Sequence, residues 1–466
     1  MLRIPYSSRA TIVPTVLMAV WSTVLPIAGM TGLRNTILLI LFIYLLWQYF
    51  SSTRDKGYDK LEHMPFVLLG LLVVLTLWIG VRAWTSPYRA YALAEFWGQW
   101  VKMLFIAAIG YLMVNWLKRF PQYFSVIITA IFIGLTFCPL FTVVFNLWWQ
   151  QHSLWQIVVP TINNKTNVSY VTNLALAILM CDFFVRRLSA SFLLNLNRYL
   201  RFGFLVGLLY ASFILGARNG WIGFLLLSLT SLVFYIFIVN KNSPLKSVLY
   251  LCLGGLIVLL GLIILLYKTD TRWHTFFATT QVAVDIEHYQ AWKAPTFDFP
   301  GAYPMPVDEQ GHSVDTSNYQ RVAWATVASQ LIGLYPWGLG YGRDVFGWAI
   351  HLHYHLGSRP LGAGVVQGVP INSHSSVLEL GLGIGLPGLL LAVLICLYLF
   401  WFALQSARQY HVYEALLLLT ILSGYLGRAL LDANLRDHNL ELLFFMMGLL
   451  ISWIHVRRGK LTVLTN

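Results

Sequence analysis

Apolar segments of about twenty residues recur along the whole chain, and each is long enough to cross a hydrocarbon core of about 30 Å. Only 11% of the residues are charged and 58% are hydrophobic, unlike the composition of a soluble globular domain. The apolar residues form continuous blocks and do not alternate as in the strands of a β-barrel. The sequence therefore predicts an all-α polytopic membrane protein.

The lengths of these blocks predict about twelve transmembrane helices. The predicted spans cover residues 11–30, 36–50, 65–84, 99–117, 123–146, 169–185, 202–216, 220–239, 248–267, 376–404, 412–431 and 439–456. The connections on one side contain about twice as many lysines and arginines as those on the other, and this side is expected to face the cytoplasm. Both termini are then cytoplasmic. The predicted organisation is nine spans in residues 1–267, a periplasmic loop in 268–372, and three spans in 373–466.

The long loop is rich in Trp, Tyr, Pro and Gly, which is not the composition of a flexible linker. Apolar residues from Val322 to Ile332 repeat at helical spacing and predict an amphipathic helix that lies against the membrane domain. Arg321 stands at the expected start of this helix, and "YPWGLGYG" ends it. Arg343, which directly follows, is assigned to substrate binding. We expect the loop to form an ordered lid.

Several functions are disfavoured by composition. The formal net charge is +13, but no soluble basic domain is present to bind nucleic acid, and anionic membrane lipids account for the excess more simply. All four cysteines fall in apolar runs, so neither disulfides nor a cysteine metal site is expected. The histidines of "HLHYH" (His351, His353 and His355) would share one face of a strand and so could bind zinc, but no nearby cysteine or carboxylate completes a set. We predict no metal.

Three cations lie at the outer ends of predicted spans. Arg218 occupies a tight hairpin, "LGARNGW"; Arg89 lies in "SPYRA"; and Lys102 follows shortly after the start of the next span. Arg218 and Lys102 each have a simple alternative, which is a side chain that reaches out to the membrane interface. The functional alternative is a set of fixed cations that face an anionic ligand.

His374 and Glu379 stand at the mouth of a membrane helix, in "NSHSSVLELGLG". Ser375 or Asn372 can cap the exposed amides at the start of this helix. The simple interpretation of His374 is a rim residue that only bonds to the backbone. Glu379 must be paired or protonated, because an isolated carboxylate there is costly. Histidine suits proton abstraction from a hydroxyl, and arginines suit phosphate. The combination suggests group transfer from a lipid phosphate to a hydroxyl, in which cations stabilise the leaving pyrophosphate.

The chain resembles the O-antigen ligase family within the broader O-antigen ligase and polymerase superfamily. Four segments carry the resemblance: "SPYRA" with Lys102 downstream, "GARNGWIGFLLL", "QRVAWATVASQLIGLYPWGLGYG" and "NSHSSVLELGLGIGLPGLLL". The spacing from His374 to Glu379 and Gly381 fits the closing motif of the family. Many members have His-Asn where this chain has His374-Ser375, so whatever role that asparagine plays is unsupported here.

The resemblance implies transfer of a polysaccharide from undecaprenyl pyrophosphate to lipid A–core, on the periplasmic face of the bacterial inner membrane, with neither metal nor nucleotide. Arg218 and Arg321 would hold the pyrophosphate, and His374 would activate the acceptor hydroxyl. Lys102 and Arg89 would be supporting cations, and Glu379 would orient His374 or neutralise an arginine.

Two other functions remain open from the sequence. An O-antigen polymerase would use the same donor with another lipid-linked repeat as acceptor. A transporter or flippase of lipid-linked sugars would place its cations near the membrane midplane, whereas the candidates here gather at the outer ends of spans. Asp182, near an inner end, is expected to pair with Arg186 one helical turn away.

Overall fold

The computed structural model describes the chain from residue 6 to residue 465. Residues not described within this range are 54–64, 119–120, 150–164, 190, 216–217, 240–252, most of 253–274, 295–302, 308–310, 312–313, 359–365 and 434–435. Within the described ranges the secondary structure is helical and no β-strand is present.

The first nine helices form the N-terminal part of the bundle. They are α1 (Tyr6–Val24), α2 (Thr31–Thr53), α3 (Phe66–Trp84), α4 (Arg89–Glu95), α5 (Lys102–Leu117), α6 (Phe124–Val144), α7 (Lys165–Leu188), α8 (Arg198–Leu215) and α9 (Arg218–Val239). A π-helical turn, Phe96–Val101, joins α4 to α5. The helices that follow are α10 (Phe276–Val284), α11 (Thr316–Leu334), α12 (Val345–Tyr354), α13 (Ser376–Gln409), α14 (Ala415–Leu431) and α15 (Asp437–Thr465).

Nine helices of the described part are long and apolar enough to cross a membrane. Two shorter apolar helices, Ile12–Val24 and Ala415–Leu431, coincide with two further predicted spans. The predicted span at 248–267 lies largely outside the described residues. The all-helical membrane fold is thus confirmed, while the number of spans, the three-part division and the periplasmic position of the loop stay predictions.

Small residues bring membrane helices into close contact where α5 meets α15. A Cβ on Gly110 would lie 2.5 Å from the carbonyl oxygen of Phe445, and one on Gly448 would overlap the backbone of Ala107. Lipid gives no hydrophobic drive for helices to associate, so such close backbone packing is an important source of their attraction.

The segment between α9 and α13 contains its own hydrophobic core. Trp292, Tyr319, Trp324, Phe346 and Trp348 are buried there, together with the apolar face of α11. Helix α11 spans Thr316–Leu334 and packs against α13, as the periodicity predicted. Arg321 lies in its second turn, because the N-cap is Asp315, five residues earlier than the sequence suggested. The described part of the loop is therefore an ordered, helical subdomain.

Helix α13 is broken inside the segment that was predicted as one continuous span. Gly385 has φ 70° and ψ 179°, and a Cβ there would overlap the backbone of Trp337. The "YPWGLGYG" segment enters the break: Leu386 N donates to Pro336 O at 2.8 Å, and Gly340 N donates to Gly383 O at 2.9 Å. Backbone groups released by a break must find partners at membrane depth, and this loop supplies them.

The broken helix is also bonded to α3. Trp78 Nε1 donates to Ile384 O at 2.7 Å, and Arg82 donates to Gly338 O at 2.5 Å. The short upper piece of α13, Ser376–Ile384, is consequently held between α3 and the loop, and it is this piece that begins beside His374.

Candidate active site

His374 occupies a tight turn immediately before α13. Its φ is 56°, a left-handed conformation that is uncommon outside glycine. The side chain of Asn372 accepts the amide of His374 at 3.2 Å, and Ser375 is the N-cap that accepts the amide of Leu378 at 3.4 Å. Of the two predicted capping residues, Ser375 is therefore the N-cap, and Asn372 bonds within the turn that precedes the helix. A strained conformation held by surrounding contacts is often found at functional positions.

Glu379 fixes this turn from within the helix. Its Oε1 accepts the amide of Ser373 at 2.5 Å, one residue before the histidine. Glu379 also shares a recess of about 40 Å³ with Arg343 and Arg436. The carboxylate thus orients the backbone that carries His374, and at the same time it faces two arginines.

The connection between α14 and α15 supports the turn from the other side. Ser376 donates to the carbonyl oxygen of Asp432 through its amide at 3.1 Å and its hydroxyl at 2.9 Å. The carboxylate of Asp432 pairs with Arg428 at 3.3 Å, and the hydroxyl of Ser375 donates to Ala429 O at 3.3 Å. Arg428 and Asp432 were not predicted as site residues, although their spacing of four residues at the end of an apolar helix indicates a pair.

The imidazole of His374 stacks on the indole of Trp324 in α11. The ring centroids are 5.4 Å apart and the planes differ by 5°. Trp324 is itself fixed, since its Nε1 donates to Trp292 O at 2.7 Å. Sequence periodicity identified Trp324 only as a residue of the apolar face, and nothing in the sequence indicated that it positions a histidine.

Burial lowers the pKa of His374 from 6.5 to about 4, and the positive charges of Arg321 and Arg436 act in the same direction. The carboxylate of Asp432 opposes them. The imidazole is therefore neutral at physiological pH, which is the form that can act as a base.

His374 and Arg321 line one cavity of about 690 Å³, here called the His374 cavity. Among its described lining residues none is an aspartate or a glutamate. Apolar groups, among them Phe276, Leu430 and Leu431, form much of its wall. This cavity combines a guanidinium and a neutral imidazole with an apolar surface, which suits an amphiphilic anion.

Arg218 is the first residue of α9, and its side chain lies outside the described residues. Ile222, one helical turn later, lines the His374 cavity. The helix that begins at Arg218 therefore forms part of the wall, but the position of the guanidinium stays a prediction.

Lys102 and Arg343 line a different cavity of about 590 Å³, here called the second cavity. Lys102 pairs with Glu441 at 2.5 Å. Arg343 pairs with Glu95 at 2.6 Å and with Asp437 at 2.9 Å. These two predicted substrate-binding cations are thus neutralised by carboxylates and do not line the His374 cavity.

Arg89 lines neither cavity. Its guanidinium lies 3.2 Å from the ring centroid of Trp84, and the side chain is exposed. This contact is the arrangement expected of an interfacial arginine.

The histidines of "HLHYH" lie in and just after helix α12, not on a strand, so they do not share one face. His351 Nδ1 is 2.9 Å from Leu356 O. Among the residues that the structure describes, no three His, Cys, Asp or Glu side chains are close enough to hold a metal ion.

Asp182 is paired as the sequence predicted. Its carboxylate lies 2.8 Å from Arg186 Nε and 3.2 Å from Arg201 Nη1, and it also accepts the amides of Leu193 and Leu194. The group is structural, so it offers no support for a transport site within the bundle.

Fold and site together define a polytopic helical membrane protein with a cationic, partly apolar cavity beside a broken helix. Residues 203–393 match the sequence model of a family described as O-antigen ligase, and this match supports membership of the chain in the O-antigen ligase family. The matched segment contains Arg218, Arg321, His374 and the break at Gly385. It indicates a membrane glycosyltransferase of the ligase or polymerase type that acts on a lipid-linked polysaccharide. No curated protein matches the chain.

Proposed function

We propose that the chain is an O-antigen ligase, which transfers a polysaccharide from undecaprenyl pyrophosphate to a hydroxyl of lipid A–core at the periplasmic face of the inner membrane. The observation that carries the proposal is the His374 cavity, which both Arg321 and His374 line and in which none of the described lining residues is acidic. The family match over residues 203–393 supports the same reaction class.

The donor binds through its two chemically different parts. Arg321, with Arg218 from the start of α9, holds the pyrophosphate, because guanidinium groups are always charged and bind two phosphate oxygens at once. The apolar wall around Leu430 and Leu431 receives the adjoining part of the lipid. The reacting sugar carbon is thereby presented beside His374.

The neutral imidazole accepts the proton of the acceptor hydroxyl as that oxygen attacks the anomeric carbon. The new glycosidic bond forms while the bond between the anomeric carbon and the phosphate oxygen breaks. The electron pair leaves with the pyrophosphate, whose negative charge the arginines stabilise. Trp324 and Glu379 position the ring and its turn, and no nucleotide takes part.

The test uses purified protein in lipid nanodiscs with lipid-linked glycan and lipid A–core, with chelator and without nucleotide. The wild-type protein is expected to form the ligated product. H374A is expected to be folded and inserted, with transfer reduced at least a hundredfold, in the range of about 10²–10⁴ for loss of a general base. H353A is the matched control, because His353 is exposed and lines neither cavity. Substantial ligation by H374A would remove His374 from the mechanism.

The same site chemistry serves a polymerase, which differs in its acceptor. Cells that lack the protein separate the two: loss of a ligase leaves long polymer on the carrier lipid, whereas loss of a polymerase leaves single repeats there. We expect long polymer.

A further inference from the structure

The second cavity lies at the same end of the bundle as His374, but on the other side of its turn. It is formed by α4, the π-helical turn, the starts of α2, α5 and α15, and Arg343. The recess that holds Ser376 and Glu379 shares Gln99 and Arg343 with this cavity. Residues 373–379 therefore lie between the His374 cavity and this recess, with His374 on one side and Glu379 on the other, and the second cavity adjoins the recess.

The charges of the second cavity are balanced within it. Lys102 is paired with Glu441, and Arg343 is paired with two carboxylates, as described above. Arg34 donates to Leu25 O at 2.7 Å and to the Thr31 hydroxyl at 2.8 Å. An anion would have to displace a carboxylate to reach Lys102 or Arg343, which makes the second cavity a poor site for pyrophosphate.

Buried polar atoms in the wall nevertheless retain hydrogen-bonding capacity. Within the described part of the chain, Gln99 Nε2, Arg34 Nε, His438 Nε2 and Glu441 Oε2 have no hydrogen-bond partner. Gln99 and Arg34 are each 6% exposed, and Glu441 is 2% exposed. Buried donors and acceptors are costly unless a partner satisfies them. The set contains both donors and an acceptor, which matches the hydroxyl groups of a sugar, since each hydroxyl can donate and accept.

We propose that the second cavity binds uncharged sugar residues of one of the two glycan substrates, through hydroxyl contacts to Gln99 and Glu441. The volume of about 590 Å³ lies in the ordinary range of small-molecule sites, about 300–1,000 Å³. Tyr91 adds an aromatic surface to the wall. This assignment rests on the proposed function, because the saccharide would belong to a glycan whose reacting end lies beside His374.

The source of the saccharide, donor or acceptor, is resolved by two probes. One is core oligosaccharide freed of lipid A and dephosphorylated; the other is repeat-unit glycan released from its carrier. Each is titrated by calorimetry against nanodisc-embedded wild-type protein, Q99L and the control Q122L. Gln122 is exposed and lies beyond the far end of α5 from Lys102.

We expect one probe to bind the wild-type protein, with a Kd at least tenfold higher for Q99L and unchanged for Q122L. E441Q should weaken the same probe, and it should also lower the Tm because it removes the ion pair between a buried carboxylate and Lys102. Inorganic pyrophosphate should not compete. The assignment is overturned if neither probe binds, if Q99L binds as tightly as the wild type, or if pyrophosphate competes with the sugar.

A parallel transfer assay separates the two proposals. If the wild-type protein binds the sugar probe but shows no transfer, and Q99L loses the binding, the cavity assignment is retained and the ligase function is refuted. If Q99L transfers glycan with unchanged KM values for both substrates, the ligase function is retained and the cavity assignment is refuted.

Discussion

Acidification should reveal whether His374 is the base. With a pKa of about 4, the imidazole is about 97% neutral at pH 5.5, whereas an unperturbed histidine with a pKa of 6.5 would be about 9% neutral. The structure thus predicts that kcat/KM at pH 5.5 is close to its value at pH 7.5, about tenfold higher than a solvent-exposed base would allow. The acidic limb of kcat/KM reports the free enzyme and is expected near pH 4.

Donor binding should move this limb. A pyrophosphate in the His374 cavity adds negative charge beside the imidazole, which favours its protonated form and raises its pKa. The acidic limb of kcat, which reports the enzyme–substrate complex, is therefore expected at a higher pH than that of kcat/KM. R321Q should shift the acidic limb of kcat/KM to a higher pH as well, because the positive charge of Arg321 no longer lowers the pKa of His374. The midpoint of this limb should remain below pH 6.5, since burial is the larger cause of the lowered pKa.

The assay measures initial rates from pH 3.5 to 8 after rapid transfer from neutral buffer, with a return to pH 7.5 to detect inactivation. This control is needed because the unfolded chain protonates His374 first as the pH falls below 6.5. Stability from the neutral imidazole is then lost between pH 6.5 and pH 4, by at most about 3 kcal/mol. A limb of kcat/KM at pH 6–7, or one that does not move in R321Q, would refute the assignment of His374 as a buried base next to Arg321.

Three further changes test the site and its support. R321Q should raise the donor KM at pH 7.5 at least tenfold, with R321K intermediate, because a charged hydrogen bond to phosphate contributes about 1.5–3 kcal/mol. An unchanged donor KM in steady-state kinetics would place the pyrophosphate elsewhere. W324L should lower kcat about tenfold with little change in donor KM, and W324F should restore much of the lost kcat, since an aromatic pair contributes about 0.5–1.5 kcal/mol. Equal kcat values for the two variants would argue against ring stacking. G385A should destabilise the protein by about 1–3 kcal/mol, measured as a lower Tm in detergent, because of its positive φ and its contact with Trp337; an unchanged Tm would mean that the break tolerates a side chain.

The membrane fold was largely predictable because it depends on local hydrophobicity. Apolar run length located the helices of the described spans, and periodicity located α11. The pairing of Asp182 with Arg186 and the capping by Ser375 also followed from short-range spacing. Each of these features depends on residues within a few positions of one another.

The partners of the outer cations were not predictable for the opposite reason. Arg343 meets Glu95 across 248 residues of sequence, and Lys102 meets Glu441 across 339. Only the tertiary fold brings these pairs together, so a single sequence makes the cations look equally available to a phosphate. The break at Gly385 left a local signal in the run of Gly381, Gly383, Gly385 and Pro387, but run length alone predicts one continuous helix.

The discontinuity in α13 mechanically separates the upper piece of the helix from the part that meets the lipid. His374 is held in place by the bonds of Ser376–Ile384 to α3 and the "YPWGLGYG" segment and by the bonds of its turn to the end of α14. A bilayer of different thickness changes the tilt of a membrane helix. The break at Gly385 is therefore expected to let the lower segment tilt with less displacement of the imidazole than a continuous helix would give.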